Sequence, residues 1–529
     1  MKDKLRKILC DSIQIKDIDI ELTRPKNKVN GDYSTNIALK LTKILNKNPI
    51  DIAYDIVNNI KKDEDIIDIK IENPGFINFY LSNKYILNNI NTINENPNYG
   101  SNNYGNNLKV NLEYVSANPT GYLHLGHARS AFYGSSLANI MKYCGYNVTS
   151  EYYINDAGNQ INNLVNSIQL RYNQLCGSMI NEDDITYHGE EIKTIASYIY
   201  DKYQDKLPNI ETLKDFSVEF LLNKIKNDLS KTKVEFDVWT SEKSLYTSNK
   251  VEQTLNMLKN SDYTYTLDNA LYLKTTSFFD DKDRVIIKSD NEPTYLLPDI
   301  AYHVDKYKRG YNNIINILGA DHHGYIARLK SSMEILGYDS SKMEIKILQL
   351  VKLIKDNQEL KMSKRSGTAI TINDLIEMVG LTAARYYMVS KSLDSKMDLD
   401  LDAITKESND NPIFYIEYAY ARINSILKDK DILKENEYTT IEKTEAIDLL
   451  KHLYDYEDTL VTAAKNREVH ILTKYLYDLA SLFHSYYNSE KFVTEDEKFT
   501  NERLNLLKSV QTIIYNGLNL IGITPREKM

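Results

Sequence analysis

No apolar run among the 529 residues reaches the roughly 18–20 needed to span a bilayer, because Lys, Asp or Asn interrupts every candidate. The start, Met1-Lys-Asp-Lys-Leu-Arg-Lys, continues into Ile8-Leu-Cys10-Asp11. It lacks the apolar core of a signal peptide, and its acids come too early for an organellar transit peptide. Cysteine is scarce too. Cys10, Cys144 and Cys176 are odd in number and not spaced as metal ligands, which fits a reducing cytoplasm. Surplus positive charge is also absent, since 65 Lys+Arg face 74 Asp+Glu for a net −9. Composition therefore neither supports nor excludes an RNA partner, because a basic groove on an acidic body would suffice. No internal repeat, coiled-coil stripe or interface stripe is evident, so a cytoplasmic monomer with no membrane or DNA partner is expected.

What remains is a globular balance, with 42% hydrophobic and 26% charged residues, in a chain too long for one core. Three domains are expected. Residues 1–105 read as an α+β unit. Ile37, Leu41 and Ile44 recur at helical spacing, and Ile66 to Ile71 and Phe76 to Leu81 read as strands around Asn73-Pro74-Gly75. The polar stretch Asn94 to Asn107 reads as a linker. Residues 106–408 alternate strands and helices, which predicts a parallel α/β sheet. The predicted elements are a strand at Leu108 to Val115, a helix from His124 to Tyr143 and a strand at Val148 to Ile154. Later come the strand Ile314 to Leu318 and the strand-like stretch Ile345 to Ile354. Residues 160–290 between them are mostly helical and charged, and read as an insertion. Residues 409–529 have helical periodicity without strand signals, and predict a helical bundle.

Two short motifs carry chemistry. In Pro119-Thr-Gly-Tyr-Leu-His124-Leu-Gly126-His127, two histidines three apart share one face of a helix's first turn. Free N–H groups and the dipole favour an anion there. Gly126 leaves room for a flat ring, so the motif suits ATP; two histidines merely capping a helix end, or a metal-binding pair, would look the same. The second motif, Lys361-Met362-Ser363-Lys364-Arg365-Ser-Gly367, could hold the outer phosphates and neutralise departing pyrophosphate. Alone it would pass for a solvated basic loop.

Together, in this order, the motifs resemble those of the class I aminoacyl-tRNA synthetases. The flanking segments Glu113-Tyr-Val-Ser-Ala-Asn118-Pro-Thr-Gly and Glu151-Tyr-Tyr-Ile-Asn155-Asp156-Ala-Gly158-Asn-Gln160 look like those of bacterial arginyl-tRNA synthetases. So do Pro293-Thr-Tyr295-Leu-Leu-Pro-Asp299, Gly319-Ala-Asp321-His322-His323-Gly and Ser408-Asn-Asp-Asn-Pro412, and the similarity runs over nearly the whole chain. The resemblance implies a Rossmann-like catalytic domain, an N-terminal α+β domain and an all-α anticodon-binding bundle. It implies catalytic roles for His124, His127, Lys361 and Lys364. ATP would meet Gly126, Gly319, Asp321, Met362, Ser363 and Lys364 as well as the two histidines, bringing Mg²⁺ with it and needing no permanently bound metal.

A guanidinium needs fixed carboxylates. The resemblance suggests Glu113 and Asp299 for arginine, with Asp321 adding acidity, Tyr295 closing the pocket and Asn118 positioning the ligand. Without it, Asp299 would read as a helix cap or a surface acid. The resemblance also implies that Asn73, Phe76 and Asn78 touch the D-loop of tRNA(Arg), although Phe76 could equally be core. Tyr486 and Tyr487 are open between anticodon contact and packing. The family further implies that tRNA precedes arginine activation. Editing is not expected, because unpaired buried acids would reject analogues. Other readings are a synthetase of another specificity, a smaller nucleotidyltransferase or a non-catalytic RNA-binding relative. The acidic set, the helical C-terminal region and the intact histidines and lysines argue against them.

Overall fold

The computed structural model describes residues 2–13, 15, 18–25, 27–61, 63–204, 206–320, 324–360 and 370–529. In the N-terminal part, β1 (Tyr33–Thr35), β2 (Ile66–Glu72) and β3 (Phe76–Leu81) form an antiparallel sheet in the order β1-β3-β2. Helices Lys2–Ile13, Ile37–Leu45 and Pro49–Asn59 pack with it. Ile37 and Leu41 enter the core as the periodicity predicts, but Ile44 stays 65% exposed. Gly75 between β2 and β3 has φ +141°, and a Cβ there would meet the Pro49 main chain at 3.0 Å, so the turn needs glycine twice over.

The stretch expected as a linker is docked. Asn102, Gly105 and Asn107 donate their N–H groups to Tyr143, Cys144 and Gly145 at the end of the following helix.

The central sheet explains where a ligand would bind. It comprises β4 (Lys109–Glu113), β5 (Asn147–Ile154), β6 (Val238–Ser241), β10 (Asn313–Gly319) and β11 (Met343–Leu348), all parallel, ordered β6-β5-β4-β10-β11. Strand order reverses between β4 and β10. At such a switch point the connections leave to opposite faces and open a crevice at the carboxyl ends of the strands. β7 (Thr264–Leu267), β8 (Ala270–Leu273) and β9 (Arg284–Ile287) form a separate antiparallel sheet between β6 and β10. Residues 160–290 are mostly helical, but they are not wholly an insertion outside the main sheet. Helices Asn159–Leu175, Glu190–Tyr203 and Ile210–Lys231 do lie there, but so does β6, an edge strand of the main sheet. Its four residues are too short to show a period of two.

Helix Leu125–Tyr143 crosses the middle of the molecule and is buried on nearly every side. Small residues permit this, as at Gly134, where the Tyr114 ring lies so close that a Cβ would sit 2.2 Å from its Cγ. The stretch read as one strand at 345–354 is two, β11 and β12 (Val351–Lys355), broken at Gln349-Leu350. β12 joins β13 (Gln358–Glu359) and β14 (Met397–Asp400) in a small sheet.

Beyond it, helices Pro412–Leu427, Thr444–Leu453, Tyr456–Asn466, His470–Ser489 and Glu497–Leu520 form the C-terminal bundle. The N-terminal part packs on this bundle through Lys451–Asp32 (2.5 Å), an Arg24–Asp455 pair and stacked Tyr85 and Tyr454. Tyr486 is wholly buried and donates to Glu490, so it packs; Tyr487 lies under the Arg422 guanidinium. Among the described residues, no helix is long and apolar enough to cross a membrane.

Candidate active site

His124 is the N-cap of helix Leu125–Tyr143, extended at φ −99°, ψ 176°. The Gly126 N–H donates to its Nδ1 (3.2 Å), and its own N–H donates to His127 Nδ1 (3.2 Å). Two imidazoles thus build a capping box normally made by hydroxyl and carboxylate groups. Their rings stack with centroids 3.7 Å apart. The capping and functional alternatives prove compatible. A neutral ring whose Nδ1 lone pair is used in this way carries its proton on Nε2, a donor suited to a phosphate oxygen. Gly126 is held open: a Cβ there would come within 3.2 Å of the His124 ring.

The main chain ties this turn to the exit of the lysine motif. Leu125 N–H donates to Ile370 O (3.1 Å) and Ile372 N–H to Leu123 O (2.9 Å). Lys361, Met362, Ser363, Lys364, Arg365 and Gly367 lie outside the described residues, as do Asp321, His322 and His323. Gly319 ends β10, beside β4 at the switch point.

Helix Leu296–Lys308 brings the arginine candidates to the same crevice. Tyr295 caps it and is 64% exposed; Asp299 lies in its first turn, where the dipole favours a carboxylate. Lys306 and the following Arg309 bolt this helix to the sheet through Glu113 on β4 and Glu151 on β5. Asp299 keeps a quarter of its side chain open (26%). Burial works to raise its carboxyl, but hydrogen bonds from His303 and Tyr325, with Lys306 nearby, hold it below the usual value. It is an ionised acid facing an opening.

Glu113 differs from expectation. Its Oε2 accepts from Lys306 Nζ (2.5 Å) and its Oε1 from Ser116 Oγ (2.9 Å), with 7% of the side chain exposed. Its charge thus balances a buried lysine, and any guanidinium that met Glu113 would share it with Lys306. Asn118 donates to Gln160 Oε1 (2.5 Å), which joins the loop after β4 to the helix after β5. A Cβ on Gly158 would lie 4.0 Å from the Tyr295 ring, so Tyr295 reaches over that same segment.

Sequence reasoning missed Glu242, the first residue of the helix after β6. It is 6% exposed and accepts from Tyr153 Oη (3.0 Å), and the Asn155 amide, turned to satisfy its neighbours, donates to it as well (3.1 Å). Burial above all, with Asp156 and Asp299 nearby, pushes its carboxyl up to about 7. Its only sequence signal is an acid after Ser241, which also reads as an ordinary helix start.

The three N-terminal candidates separate. Asn73 is exposed and Phe76 half-buried, but Asn78 is 1% exposed in β3, opposite Ser34. Asn78 is thus covered where Asn73 stands open.

The comparisons agree with this geometry. Residues 1–81 match the arginyl tRNA synthetase N terminal domain, 89–425 the catalytic domain of class I (R) tRNA synthetases, and 416–529 the DALR anticodon binding domain. The arginine–tRNA ligase of Bacillus pumilus is 45% identical over 98% of this chain and 96% of its own. That of Staphylococcus aureus (strain USA300 / TCH1516) is 45% identical over 98% and 95%. A solved arginyl-tRNA synthetase structure from Campylobacter jejuni, 35% identical, superposes with a TM-score of 0.79 over 85% of this chain and 100% of that one. The Thermus thermophilus arginyl-tRNA synthetase, 19% identical, shares the fold at 0.81 over the full length of both. With a switch-point crevice, a histidine-capped helix and a matching domain in each third of its length, the chain belongs to the arginyl-tRNA synthetase family.

Proposed function

We propose that this chain is an arginine–tRNA ligase in which Asp299 receives the guanidinium and the His124–His127 turn receives ATP. The arginine carboxylate attacks the α-phosphate in line, forming arginyl-adenylate and releasing pyrophosphate. His124 and His127 donate from the helix start to the transferring phosphoryl group, and the dipole adds positive potential there. Lys364, helped by Lys361, takes the pyrophosphate side, with Met362, Ser363, Gly126, Gly319 and Asp321 lining ATP. Mg²⁺ arrives as part of the substrate complex. The 2′-hydroxyl of the terminal ribose of tRNA(Arg) then attacks the acyl carbonyl of the adenylate, forming the ester of arginine with tRNA and expelling AMP. Catalysis is chiefly positioning and electrostatics. Tyr295 and Asn118 close and orient the amino-acid pocket. Residues 1–105 and 409–529 hold the D-loop side, through Asn73 and Phe76, and the anticodon side.

The observation that supports this reading most is Asp299 itself. It is an ionised carboxylate, open on one side, at the crevice where Tyr295 and the turns after β4 and β5 converge. The test is aminoacylation and ATP–pyrophosphate exchange with arginine, lysine and neutral citrulline, with and without tRNA(Arg). Only arginine should be charged. Asp299→Asn should raise the arginine KM by roughly 10- to 100-fold, as loss of a charge-assisted bond predicts. An unchanged KM removes Asp299 from the pocket.

A further inference from the structure

Behind Asp299 runs a continuous chain of hydrogen bonds into the protein. His303 Nδ1 lies 3.1 Å from Asp299 Oδ1 and 2.9 Å from the Asp299 main-chain carbonyl. Both are acceptors, so Nδ1 carries a proton and shares it between them. On the other edge of the ring, Nε2 faces the Asn316 side-chain amide nitrogen at 2.7 Å. Asn316 Oδ1 accepts from Lys306 Nζ (2.9 Å), and Lys306 also donates to Glu113. His303, Asn316 and Lys306 are at most 3% exposed, so water does not relax these choices.

The order of donors and acceptors along this chain has only one solution. Lys306 cannot accept, so Asn316 must turn its oxygen to the ammonium and its NH₂ to His303. Nε2 must then be the acceptor, and an imidazole with Nδ1–H and a bare Nε2 is neutral. Protonating Nε2 would set two N–H groups against each other. Flipping the Asn316 amide to escape would set NH₂ against the lysine. The groups facing this ring from each packed element all take part or lie alongside. They are Asp299 and Tyr302 on its own helix, Asn316 on β10, Lys306 with Glu113 on β4, and Tyr325 through Asp299.

We infer that His303 is a positioning residue for arginine recognition: Asn316, oriented by Lys306 and Glu113, holds it neutral, so Asp299 is aimed without being neutralised. This rests on Asp299 being the guanidinium acid. An imidazolium in that place would give Asp299 an internal cation and compete with the substrate. A neutral Nδ1–H fixes the carboxylate while leaving its charge for the ligand. Glu113 thus returns to arginine recognition at one remove, by charge-balancing the lysine that orients Asn316.

The inference is tested on the full-length enzyme labelled with ¹⁵N-histidine. Of the nine histidines, His303 is identified by the resonance lost in His303→Gln. At pH 7 without substrate, its Nδ1 should be protonated and its Nε2 bare. An imidazolium or an Nε2–H tautomer overturns the proposal. Asn316→Asp gives Nε2 an acceptor and should convert the ring to imidazolium. The arginine KM in aminoacylation should then rise about tenfold while the ATP KM stays within about twofold, and discrimination against citrulline should fall. Equal losses toward arginine and ATP, or an imidazolium that leaves arginine KM unchanged, overturn it. Should Asn316→Asp fail to fold, His303→Asn and His303→Gln replace it. Asparagine mimics the Nδ1 donor and should recover more arginine affinity than glutamine; the reverse order refutes the role. Failure of the underlying reading shows separately, as an Asp299→Asn enzyme with unchanged arginine KM.

Discussion

Replacing Glu242 by glutamine should make the protein more stable at neutral and alkaline pH, with the gain vanishing below about pH 4.5. The folded protein raises this carboxyl from its usual 4.5 to about 7, chiefly by burial, with Asp156 and Asp299 adding repulsion. Because the folded state holds the proton more tightly than the unfolded one, Glu242 contributes most stability below pH 4.5. That contribution fades as pH rises through about 7. At ~1.4 kcal/mol per pH unit, the rise is worth about 3 kcal/mol once the group is fully ionised. Glutamine keeps the shape and an oxygen for the Tyr153 hydroxyl but never ionises. Thermal melts of Glu242→Gln and the parent should therefore coincide near pH 4, separate as pH rises from about 4.5 to 7, and keep that separation to pH 8.5, with the variant higher. For a unit of this size, about 3 kcal/mol corresponds to roughly 6–12 °C. A pH-independent offset, or a variant less stable at pH 8.5, would refute the reasoning, since either means that Glu242 is not a buried acid forced to ionise.

Lys306→Met should leave the Glu113 carboxylate buried without its ammonium and cost about 3–5 kcal/mol in urea unfolding. The double variant with Glu113→Leu should recover much of that loss. Arg385→Leu removes the donor to Ile521 O (2.7 Å), Thr232 O (2.7 Å) and Ser135 Oγ (3.0 Å). Limited proteolysis should then clip residues 521–529 at a protease dose that leaves the parent intact, and equal resistance would count against the latch.

Local patterns carried much of the fold. Two histidines three apart beside a glycine announced a helix start, and they cap it. The alternation of strand and helix announced the parallel sheet that makes the switch-point crevice. Asp299 stood out through the resemblance alone, since an acid early in a helix otherwise reads as a cap. What failed to show was pairing across elements. That Glu113 meets Lys306, and that Asn316 meets His303, depends on β4 lying beside β10 under one helix. No window of sequence encodes that adjacency. β6 hid because four residues within a helical stretch show no period. Asn78 hid because alternation in β3 places Phe76, Asn78 and Tyr80 on one face without telling whether that face is covered.

Arg385 is fully buried, its guanidinium lowered to about 10 by that burial. The acceptors that make such burial tolerable come from Ser135, Thr232 and Ile521, three points far apart in the chain. Ser135 lies on the helix that carries the histidine turn, Thr232 ends the helix Ile210–Lys231, and Ile521 follows the last helix of the bundle. One buried cation is therefore a common fastening for three parts of the molecule, and shifting any one of them leaves a guanidinium N–H without its acceptor.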